Sequence, residues 1–127
     1  MIGGIGTDIC ALERIEKLLS GIRRDHFLDK TFTDRELDLA PNSKAEVAFC
    51  AGRWAAKEAL AKALGTGFGQ FCRWQEICID RQESGAPEIK LSGVTAQTAD
   101  NLGLTNFHLS ISHEKSHAVA FVIAEKL

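Results

Sequence analysis

Residues 44–64 read KAEVAFCAGRWAAKEALAKAL and form the longest helical pattern in the chain. Alanine, the strongest helix former, recurs throughout this segment, and Gly52 is its one helix-weakening residue. Gly65 follows directly, and glycine is favoured just past the end of a helix. We therefore expect a long central helix that ends at Leu64.

The start of the chain, Met1 to Ile9, is a short apolar segment interrupted by Gly3, Gly4 and Gly6. Glycines inside a strand mark places where another backbone or a ligand comes close. The acidic residue Asp8 stands at the end of this segment. The pattern predicts a strand that another backbone or a ligand approaches closely, with one carboxylate at its end.

Two shorter helices are predicted between this strand and the central helix. The first has apolar residues at helical spacing: Leu12, Ile15, Leu18, Leu19 and Ile22. The second lies in FTDREL (residues 32–37), where Thr33 and Glu36 have the spacing of a capping box, and Pro41 ends it. The stretch between them, with Phe27 and Phe32, shows no clear pattern.

Beyond the glycine-rich loop GTGFGQF (residues 65–71), the pattern changes to strands. Polarity alternates, as in a strand, in RWQEICID (73–80) and NFHLSIS (106–112). Two further strands are predicted in EIKLSG (88–93) and HAVAFVIAE (117–125), and a short helix at 94–103. Because hairpins outnumber βαβ units, we expect an α+β fold with an antiparallel sheet, in one domain spanning residues 1–127.

Composition limits the function. Fifteen Lys and Arg against seventeen Asp and Glu give a formal charge of −2, which disfavours a general nucleic-acid binder, so any anion site must be local. No signal-peptide pattern or long apolar run is present, and we expect a cytoplasmic protein without a membrane segment. The four cysteines form no CxxC pair and are expected to be reduced structural thiols. So small a chain makes a site completed by a second subunit plausible.

Asp8, Glu58 and Lys62 are the main candidates for chemistry. Two carboxylates from different elements suit Mg²⁺, which takes few protein oxygens, and Lys62 could neutralise a phosphate on the same metal. Structural explanations remain open: Glu58 and Lys62 have the spacing of a helix-stabilising pair, and Asp8 could cap the following helix. The GTGFG loop follows a helix and lacks the P-loop pattern, so we do not assign it one.

A row of polar residues, His108, Ser110 and Ser112, occupies one face of a predicted strand that ends beside His113. Either a half-exposed sheet or a ligand-facing surface explains it. A Ser-His-Asp hydrolase is less attractive because no GxSxG motif is present. A zinc site built from Cys72, Cys78, His113 and His117 fits poorly, because the five-residue gap between the two cysteines is too long for the usual knuckle.

Four ordered segments resemble one known family, the holo-acyl-carrier-protein synthases of the 4′-phosphopantetheinyl transferase superfamily. They are IGTDICALERI (5–15), RWAAKEALAKALGTG (53–67), SGAPEIKLSG (84–93) and LSISHEKSHAVAFVIAE (109–125). The resemblance covers essentially the whole chain. It departs from the family at His117, where an aromatic residue is frequent, and is loose between Asp25 and Lys44.

The resemblance implies the family's small α+β fold, in which an antiparallel sheet packs against a long central helix. It also implies transfer of the 4′-phosphopantetheine arm of coenzyme A to a serine of apo-acyl carrier protein, in support of fatty acid biosynthesis. Asp8 and Glu58 would hold Mg²⁺, and Lys62 would lie at the coenzyme A phosphates. The nucleotide end would meet Arg53, the turn from Gly85 to Pro87, and His113.

The family resemblance further implies a homotrimer with active sites between subunits, and a first helix that docks on the acidic carrier protein. Arg14 would be the anchor of that contact, extended by Lys17, Arg23 and Arg24. Two other functions stay open. One is a non-catalytic module that binds a carrier protein or a nucleotide, and the other is a magnesium-dependent nucleotide hydrolase.

Overall fold

The computed structural model describes residues Met1–Leu127 and has the expected α+β architecture. Its elements are, in order, β1 (Ile2–Ala11), α1 (Leu12–Ser20), α2 (Arg24–Thr31), α3 (Asp34–Leu39), α4 (Ala45–Leu64), β2 (Ile77–Arg81), β3 (Pro87–Leu91), α5 (Gly93–Asn101), β4 (Leu104–His113) and β5 (His117–Lys126). The first sheet has the order β1-β5-β4, and β2 and β3 form a separate hairpin. All strand pairs are antiparallel, as predicted.

The central helix α4 ends at Leu64, and Gly65 follows it in the left-handed conformation (φ 81°), as the sequence predicts. One side of α4 packs on the sheet, whose inner face on β5 consists of small or branched residues with no exposed surface: Ala118, Ala120, Val122 and Ala124. Small side chains on both surfaces let helix and sheet approach closely.

Glycines bring β1 even closer to α4. A Cβ placed on Gly6 would lie 1.7 Å from the carbonyl oxygen of Ala59, and one on Gly4 would lie 2.2 Å from that of Ala63. No side chain fits there, so only glycine permits this contact. The predicted close approach of another backbone to the first strand is confirmed, and that backbone belongs to α4.

On the other side of α4, a buried ion pair fixes the neighbouring elements. Lys57 and Glu36 have fully buried side chains, and Nζ lies 2.7 Å from Oε1. Lys57 Nζ also donates to the carbonyl oxygens of Thr31 (2.7 Å) and Trp74 (3.0 Å). Glu36 completes the predicted capping box with Thr33, so the pair ties α3 and the end of α2 to α4.

The outer face of the first sheet is exposed and largely apolar. Its cross-strand rows are Ile5, Ile123 and His108, then Thr7, Phe121 and Ser110, then Ile9, Val119 and Ser112. The exposed fractions of Ile5, Ile9 and Phe121 are 65 %, 66 % and 54 %. The predicted polar row on β4 therefore borders a broad apolar surface.

Three expectations about local structure were wrong. The stretch assigned no pattern contains helix α2, and α1 ends at Ser20, which leaves Ile22 fully exposed. The strand predicted from residue 73 begins only at Ile77, because residues 74–76 form a 3₁₀ turn.

All four cysteines are free thiols, as expected. No helix combines the length and apolar character needed to cross a bilayer.

Candidate active site

The packing of β1 on α4 places the Asp8 carboxylate beside the second half of the helix. Lys62 Nζ lies 3.2 Å from Asp8 Oδ1 and donates a second hydrogen bond to the carbonyl oxygen of Thr7 at 3.0 Å. The Asp8 side chain is only 14 % exposed, and its Oδ2 atom is buried with no hydrogen-bond partner. A buried carboxylate oxygen without a partner costs folding free energy unless a cation or a hydrogen-bond donor pairs with it.

The structure decides between the two explanations left open for these residues. Lys62 pairs with Asp8, and Glu58 has no ion-pair or hydrogen-bond partner. Glu58 and Lys62 therefore do not form an ordinary helix-stabilising ion pair, although they have its four-residue spacing. Asp8 does not cap α1, because the N-cap position is Ala11 and has no side-chain cap. Glu58 and the Oδ2 atom of Asp8 are therefore available for other contacts.

Glu58 stands in an environment that disfavours its charge. Burial and the nearby Asp8 carboxylate raise the pKa of Glu58, and the cations Lys62 and Arg14 oppose that rise. Two neighbouring carboxylates and one buried orphan oxygen fit a divalent cation that takes few protein ligands, as Mg²⁺ does. Asp8 and Glu58 are the residues that could hold it.

A second group of predicted residues surrounds a cavity of about 740 Å³. Arg53, Gly85, Pro87 and His113 all line this cavity, which lies between the first half of α4, the β2–β3 turn and the end of β4. The sequence motifs that suggested these four residues are far apart in the chain. The fold brings them together.

The cavity is built to take an anion. Lys44 and Arg81 also line it, and no Asp or Glu does. Arg53 stacks on Phe49, with Cζ 4.0 Å from the ring centroid, and its buried Nε has no partner. Burial and the repulsion of Arg81 lower the pKa of Arg53. Lys44 and Arg81 were not predicted as site residues. Their positive charge, just before the motifs at 53–67 and 84–93, is the signal in the sequence that could have indicated them.

The two groups lie on different sides of α4. Arg53 and Glu58 are five positions apart, which turns them about 140° from each other around the helix. Neither Asp8, Glu58 nor Lys62 lines the cavity. Within one chain the two groups therefore do not line a common cavity.

The predicted carrier-binding residues differ in their contacts. Lys17 pairs with Glu13 at 3.4 Å on the same helix. Arg24 makes two hydrogen bonds to Glu46, of 2.8 and 2.6 Å, so its guanidinium ties α2 to the first turn of α4. Arg14 has no carboxylate partner in the chain, and its Cζ lies 4.7 Å above the ring of Trp54. Arg14 is thus the best placed of the three to bind an external carboxylate.

Fold and site together define a small α+β protein with an acidic pair and a separate cationic cavity. The chain belongs to the 4′-phosphopantetheinyl transferase superfamily, whose family model matches residues 4–122. Within it, the chain is 45 % identical over 125 residues to the holo-[acyl-carrier-protein] synthase of Clostridium novyi, covering 98 % of this chain and 88 % of that protein.

Solved structures give the same result. The holo-[acyl-carrier-protein] synthase of Neisseria meningitidis matches with a TM-score of 0.90 and 37 % identity, over 99 % of this chain and 100 % of that one. The synthase of Bacillus anthracis, in complex with CoA (3′,5′-ADP), matches with a TM-score of 0.83 and 38 % identity, over 100 % and 99 %. The fold expected from the resemblance is confirmed.

Proposed function

We propose that this protein transfers the 4′-phosphopantetheine arm of coenzyme A to a serine of an apo-acyl carrier protein and releases 3′,5′-ADP, in support of fatty acid biosynthesis. The observation that carries the proposal is the carboxylate pair beside Lys62: the buried Oδ2 atom of Asp8 has no partner, and burial and Asp8 raise the pKa of the nearby Glu58. The relationship to holo-[acyl-carrier-protein] synthases, one of them bound to CoA (3′,5′-ADP), supports the substrate.

Asp8 and Glu58 would hold Mg²⁺, which when bound neutralises charge on the coenzyme A pyrophosphate. Lys62 has a side chain that is 54 % exposed, so its ammonium can turn from the Thr7 carbonyl to a phosphate oxygen. The carrier serine oxygen forms a bond to the phosphorus nearest the pantetheine, and the bond from that phosphorus to the bridging oxygen breaks. Glu58 or an ordered water accepts the serine proton.

The cationic cavity is proposed to take the nucleotide end of coenzyme A. Arg53, Lys44 and Arg81 supply positive charge toward the 3′-phosphate, and His113 adds a hydrogen-bonding ring. Gly85 and Pro87 shape the opposite wall. This nucleotide would leave as 3′,5′-ADP from the cavity after transfer.

The active enzyme is proposed to be a cytoplasmic homotrimer of single-domain subunits, residues 1–127, with its site between two subunits. The separation of the acidic pair from the cationic cavity around α4 supports a site shared by neighbouring copies. The exposed apolar outer face of the first sheet, with Ile5, Ile9 and Phe121, supports a large surface for association.

Mass spectrometry of the carrier tests the transfer directly. The protein is incubated with apo-carrier, coenzyme A and Mg²⁺, and the carrier should gain one phosphopantetheine arm. Asp8→Asn should abolish the gain, and removal of Mg²⁺ by a chelator should have the same effect. Binding without a mass gain would favour a non-catalytic module, and release of 3′,5′-ADP without carrier would favour a nucleotide hydrolase. Either result would reject the proposal.

Mixing two inactive variants tests the shared site. Asp8→Asn damages the acidic pair and Arg53→Ala damages the cationic cavity, so each homotrimer should be inactive. Unfolded and refolded together, or co-expressed, they should form mixed trimers in which some sites combine two intact halves. Recovery of activity in the mixture is expected. Activity no higher than that of either variant alone would mean that each chain builds its own site.

A further inference from the structure

Arg14 differs from the other cations of its region in what it contacts. The guanidinium lies over the Trp54 ring at 4.7 Å, in cation–π distance, and makes no salt bridge or hydrogen bond within the chain. Tryptophan offers the strongest cation–π face of the aromatic side chains. Arg14 is therefore held in place by an aromatic ring while all its N–H groups stay free for a partner.

Trp54 is itself braced from behind. Its ring stacks on Trp74 with centroids 5.7 Å apart, and Trp74 stacks on Phe68 at 3.9 Å with an interplanar angle of 4°. The Trp74 carbonyl oxygen accepts a hydrogen bond from the buried Lys57. This aromatic column, Trp54, Trp74 and Phe68, connects α4, the 3₁₀ turn at 74–76 and the glycine-rich loop.

We propose that Trp54 is a positioning residue for carrier binding: its indole holds the Arg14 guanidinium in the place where the carrier's carboxylate meets it. The inference rests on the proposed function, which supplies the acidic partner. A free arginine loses much side-chain freedom when it binds, and an arginine already held by a ring loses less. The aromatic column keeps the indole from turning away, so the position of Arg14 is set before the carrier arrives.

Steady-state kinetics with varied carrier and saturating coenzyme A provide the test. Trp54→Leu removes the cation–π contact and should raise the carrier KM about two- to fivefold, which corresponds to the usual strength of an exposed cation–π pair. The KM for coenzyme A and kcat should stay unchanged, and Trp54→Phe should keep most of the effect of the ring. Phe71→Leu, at an exposed aromatic residue outside the column, is the matched control and should change nothing.

The double variant separates positioning from direct contact. In an Arg14→Ala background, Trp54→Leu should raise the carrier KM no further, because there is no guanidinium left to hold. A further rise of the same size would mean that Trp54 contacts the carrier itself. A lower KM in Trp54→Leu would mean that the indole competes with the carrier. Either result overturns the inference, whereas loss of all transfer by the wild-type protein would refute the proposed function instead.

Fluorescence gives a readout that needs neither carrier nor transfer. The chain has two tryptophans and no tyrosine, so Trp74→Phe leaves Trp54 as the single emitting residue. Adding Arg14→Ala uncovers one face of the indole and should increase quenching of its emission by acrylamide. An unchanged quenching constant would show that Arg14 does not occupy that face in solution, and it would overturn the inference independently of any kinetics.

Discussion

Replacing Gly6 with alanine tests whether the contact between β1 and α4 creates the active site. A Cβ at this position would lie 1.7 Å from the Ala59 carbonyl oxygen and 2.9 Å from the Ala63 nitrogen, both of them helix backbone atoms. Ordinary contact begins near 3.4 Å, so strand and helix must separate by about 1.7 Å. Backbone cannot rotate out of the way as a side chain can. The strand therefore shifts, and Asp8 shifts with it.

Both stability and catalysis should suffer in Gly6→Ala. Overpacking at a rigid site should cost about 3 kcal/mol of unfolding free energy, at the upper end of the usual range. For a chain of this size such a loss lowers Tm by roughly 10 °C. A displacement of 1 Å or more at the carboxylate should lower kcat about 100-fold even at a temperature where the variant is folded.

Calorimetry and the carrier mass assay, run well below the Tm of the variant, measure the two effects of Gly6→Ala separately. Gly3→Ala is the matched control, because its Cβ would meet only side chains, those of Leu104 and Lys126 at 2.6 and 2.8 Å, and side chains shift more easily than helix backbone. The control should lose less stability than Gly6→Ala and should keep its transfer rate. Wild-type Tm and rate in Gly6→Ala, or equal damage in both variants, would refute the argument that backbone contact places Asp8.

Two further predictions concern stability. Lys57→Met leaves the buried Glu36 carboxylate uncompensated and should cost about 3–5 kcal/mol in urea unfolding, part of which Glu36→Gln should restore. Asp80 accepts hydrogen bonds from the Arg81 backbone, Lys90 and Arg35, which lower its pKa. The Asp80 carboxylate stabilises the fold fully at a pH above its pKa in the unfolded chain, and this stabilisation is lost as the pH falls toward its pKa in the folded protein. The loss of unfolding free energy in Asp80→Asn should therefore be full at pH 7 and shrink below about pH 4. A deficit that is the same at pH 7 and pH 3 would contradict this.

Local patterns predicted the elements that local chemistry determines. The end of α4 at Gly65 and the Thr33 capping box need only neighbouring residues, and both were predicted correctly. Helix α2 was missed because its end is stabilised from far along the chain: Lys57 donates to the Thr31 carbonyl, and Gln75 donates to the Phe32 carbonyl at 2.7 Å. Such contacts leave no periodic signal.

The misassigned strand start has the same kind of cause. Alternation in RWQEICID predicts a strand from residue 73, but Glu76 turns to cap the start of α5. Its Oε1 atom accepts hydrogen bonds from the Thr95 backbone N–H at 3.0 Å and the Thr95 hydroxyl at 2.9 Å. This bond between residues nineteen positions apart favours the 3₁₀ turn, and the strand begins after it.

Site residues could be predicted from the sequence only where their role depends on neighbouring residues, and not where it depends on contacts made by the fold. The glycines of β1 indicate a close neighbour, and Asp8 follows them. The sequence alone could therefore predict an acidic residue at a closely packed position. Spacing alone could not assign the partner of Lys62, because an i,i+4 pair and a cross-element pair with Asp8 place the lysine at the same helix position. Arg24 has the charge of a docking residue, but Glu46 already binds it.

The packing around the central helix supports the proposal that the site is shared between two copies of the chain. A ligand that bridged Arg53 and Glu58 of the same α4 would have to travel about 7.5 Å along the helix and about 140° around it. Ala55, Ala56 and Lys57 lie between these residues with no exposed surface, because the sheet covers one side and the Glu36 pair the other. Trp54, the remaining residue between them, is covered by Arg14 and Trp74. The packing around α4 therefore separates the acidic pair from the cationic cavity of the same chain. This separation supports the proposal that a neighbouring copy brings its own cavity to the acidic pair, so that one coenzyme A reaches both.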